Sequence, residues 1–202
     1  RARLRALVDR LAGRPTGRLV LLNPNTGDLL PRRLWQRDRF VALAARLLHS
    51  HPEVTIVLTG APSERDGAEE VRRDILAAAP EVSDGRVVSL AGETTLRDVL
   101  VLYTLADVLV TNDSGPGHFA TLSEIESIVL FGPETPALFG PLGTHHRVIW
   151  SQLACSPCVN PYNHRRTPCS NNVCMQSITV DAVHGAVTAA LESRSGRHEE
   201  TT

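Results

Sequence analysis

Cysteine is missing from residues 1–154 and from everything after position 174; all four thiols fall between Cys155 and Cys174. A small secreted scaffold spreads its bridges through the whole fold, so this distribution speaks against a disulfide framework. An excess of either charge is also missing. The formal net charge is -1 over 202 residues, whereas a nucleic-acid-coating surface needs a clear basic excess. No apolar run approaches the roughly 18–20 residues that span a bilayer. The opening Arg1-Ala2-Arg3-Leu4-Arg5 lacks the apolar stretch that would follow it in a secretory signal. Methionine occurs once, at Met175, and the first residue is Arg1; the expectation is a piece of a longer polypeptide. There is no GxxxxGK followed by Ser or Thr, hence no Walker loop. Internal repeats and low-complexity segments are absent as well.

What is present suits one domain of ordinary size with a proper core, since 42% of the residues are hydrophobic. Apolar runs alternate with amphipathic ones. Arg18–Leu22, Val54–Leu58, Arg86–Leu90, Asp107–Thr111 and Ser127–Phe131 read as buried strands, and Arg147–Trp150 as a weaker one. Helical spacing is found over Arg37–His49, Glu64–Ala79, Thr95–Leu105 and Thr179–Leu191, and a further helix opens near Pro116 and runs to Ser123. Strands that show no inside/outside alternation belong to a parallel sheet covered on both faces. The predicted fold is therefore α/β, a Rossmann-like, doubly wound parallel sheet of five or six strands spanning 17–192. A basic linker or leading helix (1–16) precedes it, and a frayed polar tail (193–202) follows.

In such sheets ligands bind beyond the carboxyl ends of the strands, where the strand order reverses. The loops after the strands are Asn23–Gly27, Thr59–Glu64, Ala91–Thr94, Asn112–His118 and Gly132–Thr135, all rich in Gly, Pro and small polar residues. They could be plain turns, but their concentration at one edge favours a binding site. With the order 3-2-1-4-5, the first and fourth of these loops become neighbours. The helix opening at Pro116 points unpaired N–H groups and the positive end of its dipole at that junction, which suits an anion such as a diphosphate. Arg32, Arg33 and Arg37 follow the first strand and are candidate phosphate contacts, because a guanidinium donates two hydrogen bonds from one plane. Each could equally be an ordinary surface arginine.

The segment NDSGPGHFA at 112–120 resembles the D-S/T-G-x-x-H-x-A signature of glycosyltransferase family nine, the heptosyltransferase-like group. SLAGETTLRDVLVLYTLADVLVTNDSGPGHFA, from Ser89 to Ala120, follows that family's approach to the signature, and VLFGPETP at 129–136 is similar to its closing element. NPNTGDLLPRRLW is similar to its first nucleotide loop, with Arg33 two positions before Trp35. The resemblance implies one half of a GT-B architecture: the C-terminal domain that binds a nucleotide-diphosphate-sugar donor in an inverting glycosyltransferase. By the same resemblance Asp113 contacts the donor sugar or its phosphate region, Ser114 and Gly115 hold the diphosphate, and His118 braces the loop or touches phosphate. Arg33 stands at a phosphate-binding lysine position and Glu64 faces ribose hydroxyls. Asn23, Thr26 and Thr135 are weaker donor contacts.

The resemblance further implies a bacterial surface glycan or lipopolysaccharide-type acceptor, glycan or lipid-linked. That acceptor and the general base, a carboxylate, are expected on an N-terminal domain this chain does not contain. It also implies a cytoplasmic protein working at the inner face of the membrane, no nucleic-acid partner, and no cofactor required for transfer. The departures are Gln36 after the Trp, SEIES at 123–127 in place of a Gly-x-Pro turn, and Glu134 ahead of Thr135. They leave the donor sugar unassigned.

Cys155, Cys158, Cys169 and Cys174 are spaced as C-x2-C and C-x4-C. The spacing suits a structural zinc that staples the Cys-rich loop 153–175; free thiols in a reducing compartment and two disulfides remain open. Two other functions are also compatible with these residues: a non-catalytic nucleotide-binding module, and a zinc-stabilised interaction module in which the glycines only make turns.

Overall fold

A computed structural model describes residues 1–26, 30–163 and 166–199. Its strands are β1 (Arg18–Asn23), β2 (Val54–Leu58), β3 (Val87–Ser89), β4 (Val108–Asn112), β5 (Glu126–Phe131) and β6 (His146–Trp150). They form one sheet in the order β3-β2-β1-β4-β5-β6, and every neighbouring pair is parallel. The order reverses between β1 and β4, which pair directly with Val20 opposite Val108 and Asn23 opposite Thr111. Asp107 fixes that register from the strand's start. Its carboxylate accepts the Leu19 N–H at 2.9 Å, and its own N–H donates to the Leu19 carbonyl at 2.9 Å.

The helices are α1 (Ala2–Ala12), α2 (Arg37–Ser50), α3 (Arg65–Ala78), α4 (Leu96–Tyr103), α5 (Gly115–Ala120), α6 (Pro136–Phe139), α7 (Val173–Gln176) and α8 (Val180–Glu199). The strand residues divide by parity. Val20 and Leu22, with Ile56, Leu58, Val108 and Val110, pack under α2, α3 and α8. Leu19 and Leu21, with Val57 and Leu109, pack on α1, α4 and α5. Both faces are thus buried, which is why the strand sequences show no polar alternation. Burying each Leu or Ile side chain stabilises by about 1.5–3 kcal/mol. A charged residue at any of these positions would break the layer.

Helix starts follow local chemistry. Thr95 caps α4: its hydroxyl accepts from Asp98 N–H at 3.2 Å, and the Asp98 carboxylate accepts the Thr95 N–H at 3.1 Å. Such a reciprocal pair satisfies two otherwise orphaned donors. The basic leading segment is α1, whose Leu4, Val8 and Ala12 are buried. Gly13 in the left-handed conformation ends it.

Several predicted boundaries move. β1 and β4 each run one residue further, to Asn23 and Asn112, so both asparagine side chains are held by strand backbone. α5 ends at Ala120 rather than Ser123. Ser193–Thr202, expected as a frayed tail, is helical as far as Glu199. No proline interrupts it, and the Arg194 guanidinium donates to the Glu124 carbonyl at 2.9 Å.

Candidate functional site

The loops after β1 and β4 meet as the strand order requires, and an asparagine and a tryptophan join them. Asn112, fully buried, accepts the Trp35 backbone N–H at 2.9 Å and donates to the Asn25 carbonyl at 3.2 Å. Trp35 is itself buried and donates its indole N–H to the Ile178 carbonyl at 2.9 Å. The short 3-10 turn Pro31–Arg33 that precedes it is thereby fixed over the sheet edge. Gly27, in the first of these loops, lies outside the described residues.

Among the described residues, two cavities open at this edge. The larger, about 450 Å³, and the smaller, about 230 Å³, share Thr26, Ser114 and Gly115. In the larger, Leu96, Val99, Tyr103 and Phe119 make an apolar wall facing Asn25 and Glu64. Leu96 and Phe119 stay exposed, as apolar groups at the mouth of a binding cavity do when a ligand is there to cover them. The Tyr103 hydroxyl donates to the Pro116 carbonyl at 3.4 Å, and burial pushes its pKa well above the ordinary phenol value. It therefore acts as a neutral donor.

Arg33, Asp113, His118 and Glu134 face into the smaller chamber. Arg33 is held on three sides. Its Nη1 donates to the Asp113 backbone carbonyl at 3.0 Å, its Nη2 donates to Glu134 Oε2 at 2.6 Å, and its Nε lies 3.3 Å from Asp113 Oδ2. Asp113 and Glu134 are each only 1% exposed. Taking charges out of water is costly unless they are paired with good geometry, so the shared guanidinium is the condition for burying these carboxylates. Ser114 stands at the start of α5, and its hydroxyl donates to the Asn112 carbonyl at 3.1 Å. Gly117 lies where a Cβ would come within 3.2 Å of Val129 Cγ2, so the glycine lets α5 sit tight on the sheet.

Eight of the nine predicted donor residues line one chamber or both: Asn23, Thr26, Glu64, Ser114 and Gly115 the larger, and Thr26, Arg33, Asp113, Ser114, Gly115 and His118 the smaller.

 Asn23 spends its amide within the sheet edge, donating to the Thr59 carbonyl and hydroxyl, each at 3.2 Å. Thr135 lines neither of these chambers. Its hydroxyl caps α6 by accepting from the Ala137 N–H at 3.3 Å, and Glu134 takes the place in the wall. Arg37 is drawn away from the site by Glu70 and Asp74, at 2.6 Å each across the α2/α3 surface, and Arg32 lines neither chamber. Asn112 and Glu134 are the residues that sequence reasoning undervalued. Glu134 was visible only as an oddity in FGPETP.

The cysteine loop touches the site from behind. Cys158 and Val159 both donate their N–H to the Pro133 carbonyl at 2.9 Å, and Ser156 Oγ donates to the Gly132 carbonyl. A Cβ at Gly132 would collide with Met175 and press on Cys174. No disulfide joins any of the four cysteines in this structure. Burial raises the pKa of Cys174, and repulsion from Cys158, Cys169 and Cys155 adds to it against a Met175 hydrogen bond. Among the described residues no group of three or more His, Cys, Asp or Glu is placed to hold a metal ion. The zinc reading therefore rests on spacing alone. Among the described residues no helix is long and apolar enough to cross a membrane.

Comparison with known proteins points to one family. A family model described as glycosyltransferase family 9 (heptosyltransferase) matches residues 4–166. Lipooligosaccharide heptosyltransferase 2 of Campylobacter jejuni is 26% identical over 169 residues, covering 83% of this chain and 50% of the relative. Lipopolysaccharide heptosyltransferase 2 of Salmonella typhimurium is 32% identical over 119 residues, 59% of this chain and 32% of the relative. Among solved structures, the E. coli ADP-heptose lipopolysaccharide heptosyltransferase II superposes with a TM-score of 0.73 at 20% identity, over 95% of this chain and 52% of that one. An E. coli heptosyltransferase with ADP gives 0.62 at 20% identity, over 87% and 45%. The chain spans half the length, or less, of these relatives.

Proposed function

The chain belongs to glycosyltransferase family 9, and on that premise we propose that it is the donor-binding half of an inverting glycosyltransferase, acting in the assembly of a lipopolysaccharide-type surface glycan. The observation that carries this reading is the pair of chambers joined at Thr26, Ser114 and Gly115. A nucleoside fits the larger one, its base on the Leu96–Phe119 wall and its ribose hydroxyls toward Glu64. The diphosphate crosses the junction, where the Arg33 guanidinium and the backbone at the start of α5 offer donors. The sugar then falls in the smaller chamber beside Asp113.

The chemistry that follows is attack of an acceptor hydroxyl on the anomeric carbon as the nucleoside diphosphate departs. The bond to the acceptor oxygen forms on the face opposite the breaking bond, so the anomeric centre inverts. Arg33 and the α5 N–H groups stabilise the negative charge that grows on the leaving diphosphate. The acceptor must lose a proton to a general base. We place that base, with the acceptor pocket, on an N-terminal domain. The fitting location is the cytoplasm, at the inner face of the membrane, where a lipid-linked acceptor would be reached.

Calorimetry with ADP, UDP and GDP tests the reading on this chain. At least one should bind, and a ligand at 100 times its dissociation constant adds about 2.7 kcal/mol of stability, which a thermal shift detects. Absence of any shift at millimolar ligand, with all three diphosphates and with their sugar nucleotides, would reject donor binding.

A further inference from the structure

Glu134 puts a buried carboxylate against Arg33, the guanidinium of the diphosphate site. Its carboxylate is 1% exposed and pairs with Arg33 Nη2 at 2.6 Å, inside the chamber that Asp113 also lines. A carboxylate on a mobile surface side chain would swing into water when an anion arrived. The Glu134 carboxylate is enclosed, and the backbone leading into it is anchored. The carbonyl of the preceding residue, Pro133, accepts two backbone N–H bonds from Cys158 and Val159, both at 2.9 Å, and Gly132 is closely covered by Met175 and Cys174. An incoming diphosphate must therefore share Arg33 with a carboxylate that stays in place and is poorly screened by water.

The cost falls unequally on the two nucleotides the site would meet. A sugar in the smaller chamber brings hydroxyl donors, and carboxylates accept them well. A free nucleoside diphosphate brings no such donors, and its terminal phosphate carries additional negative charge.

We propose that Glu134 is a specificity-determining residue that makes the site prefer the sugar-bearing donor over the free nucleoside diphosphate, by holding Arg33 as an ion pair that only the donor's sugar compensates. This rests on the donor-binding reading given above. Glu134 acts through Arg33 and disfavours retention of the nucleotide product.

The test is calorimetry of the wild-type chain, Glu134→Gln, Arg33→Lys and the double variant. The probes are ADP with ADP-glucose, UDP with UDP-glucose and GDP with GDP-mannose. Glutamine keeps the shape and an acceptor for Arg33 while removing the charge. In Glu134→Gln the free diphosphate should bind about tenfold tighter, while the matching sugar nucleotide changes by less than about threefold. In the Arg33→Lys background, where the two-sided fork is gone, the gain should shrink to less than about twofold. A diphosphate affinity that is unchanged or weaker in Glu134→Gln overturns the proposal, as does an equal gain for both ligands. Should Glu134→Gln fail to fold, Glu134→Thr carries the same expectation, and loss of diphosphate binding there counts against it. If the wild-type chain binds neither kind of nucleotide, the donor-binding reading itself has failed, which is a different result from a wrong-signed effect of Glu134.

Discussion

Asn112 Oδ1 accepts the backbone N–H of Trp35 at 2.9 Å, and that bond ties the end of β4 to the loop that follows β1. The two residues are far apart in sequence, and both are fully buried. The bond sets the height of the Arg33 turn above the sheet, so the site depends on a residue that does not contact phosphate. We expect Asn112→Ala to leave the Trp35 N–H buried without its acceptor and to cost about 1–3 kcal/mol of stability. Denaturant titration measures the loss. An effect below a few tenths of a kcal/mol would show that the loop is held by other means.

Arg33 and Asp113 should separate binding of the two halves of the donor. Arg33→Ala would take away the cation shared by two buried carboxylates, and breaking a buried pair costs about 3–5 kcal/mol, so a milder change is the better probe. Arg33→Lys keeps the charge but cannot reach Asp113 and Glu134 together; the free diphosphate should bind several-fold weaker, of the order expected when one charge-assisted bond worth roughly 1.5–3 kcal/mol is partly lost. Asp113→Asn should lower affinity for the sugar nucleotide relative to the free diphosphate. Equal changes for both ligands in both variants would contradict the division of roles.

The fold should loosen in mild acid. Burial is the main cause that holds His146 and His184 below the ordinary histidine value; the neighbouring His145 adds to it for the first, and Arg46 and His51 for the second. Each is favoured neutral in the folded chain, so the unfolded chain takes up the proton first. Their contribution is complete above the unfolded value, 6.5, and is lost as pH falls through the lower folded values. Melting temperature should therefore drop as pH goes from about 7.5 to about 5. His146→Gln with His184→Gln should flatten that slope. A slope identical to wild type would remove both histidines from the account.

The cysteine loop yields a metal prediction. If Cys155, Cys158, Cys169 and Cys174 are the zinc ligands their spacing suggests, protein purified without added metal carries about one zinc per chain. Chelation should then loosen the loop while the sheet survives, because the strands do not pass through it. The bonds from Cys158 and Val159 to Pro133 carry the disturbance to Glu134, so nucleotide affinity should respond too. Metal-free protein with four titratable thiols would reject zinc. Two bridges found by mass spectrometry would reject both zinc and a reducing compartment.

The architecture was legible because it is written in local patterns. Runs such as Val54–Leu58, apolar but for one threonine, suit a sheet covered on both faces, and the structure buries every position of this one. Alternation with helices makes that sheet parallel, and the reversal of strand order then marks the binding edge. Helical spacing from Thr95 likewise marked the start of α4 at Leu96, while the part Asp98 plays in its cap came from the structure.

What only the tertiary structure decided is which polar side chain meets which. Arg33 and Arg37 look alike in sequence, yet one is fixed between Asp113 and Glu134 while the other bridges Glu70 and Asp74 on the surface. Thr135 reads as a phosphate contact and serves as a helix cap, leaving its neighbour Glu134 in the chamber wall. The physical reason is range. Hydrophobic periodicity and capping act over a few residues and leave their mark there. A buried ion pair such as Arg33 with Glu134 joins positions 101 residues apart, and its partners are chosen by the packing of the whole sheet edge.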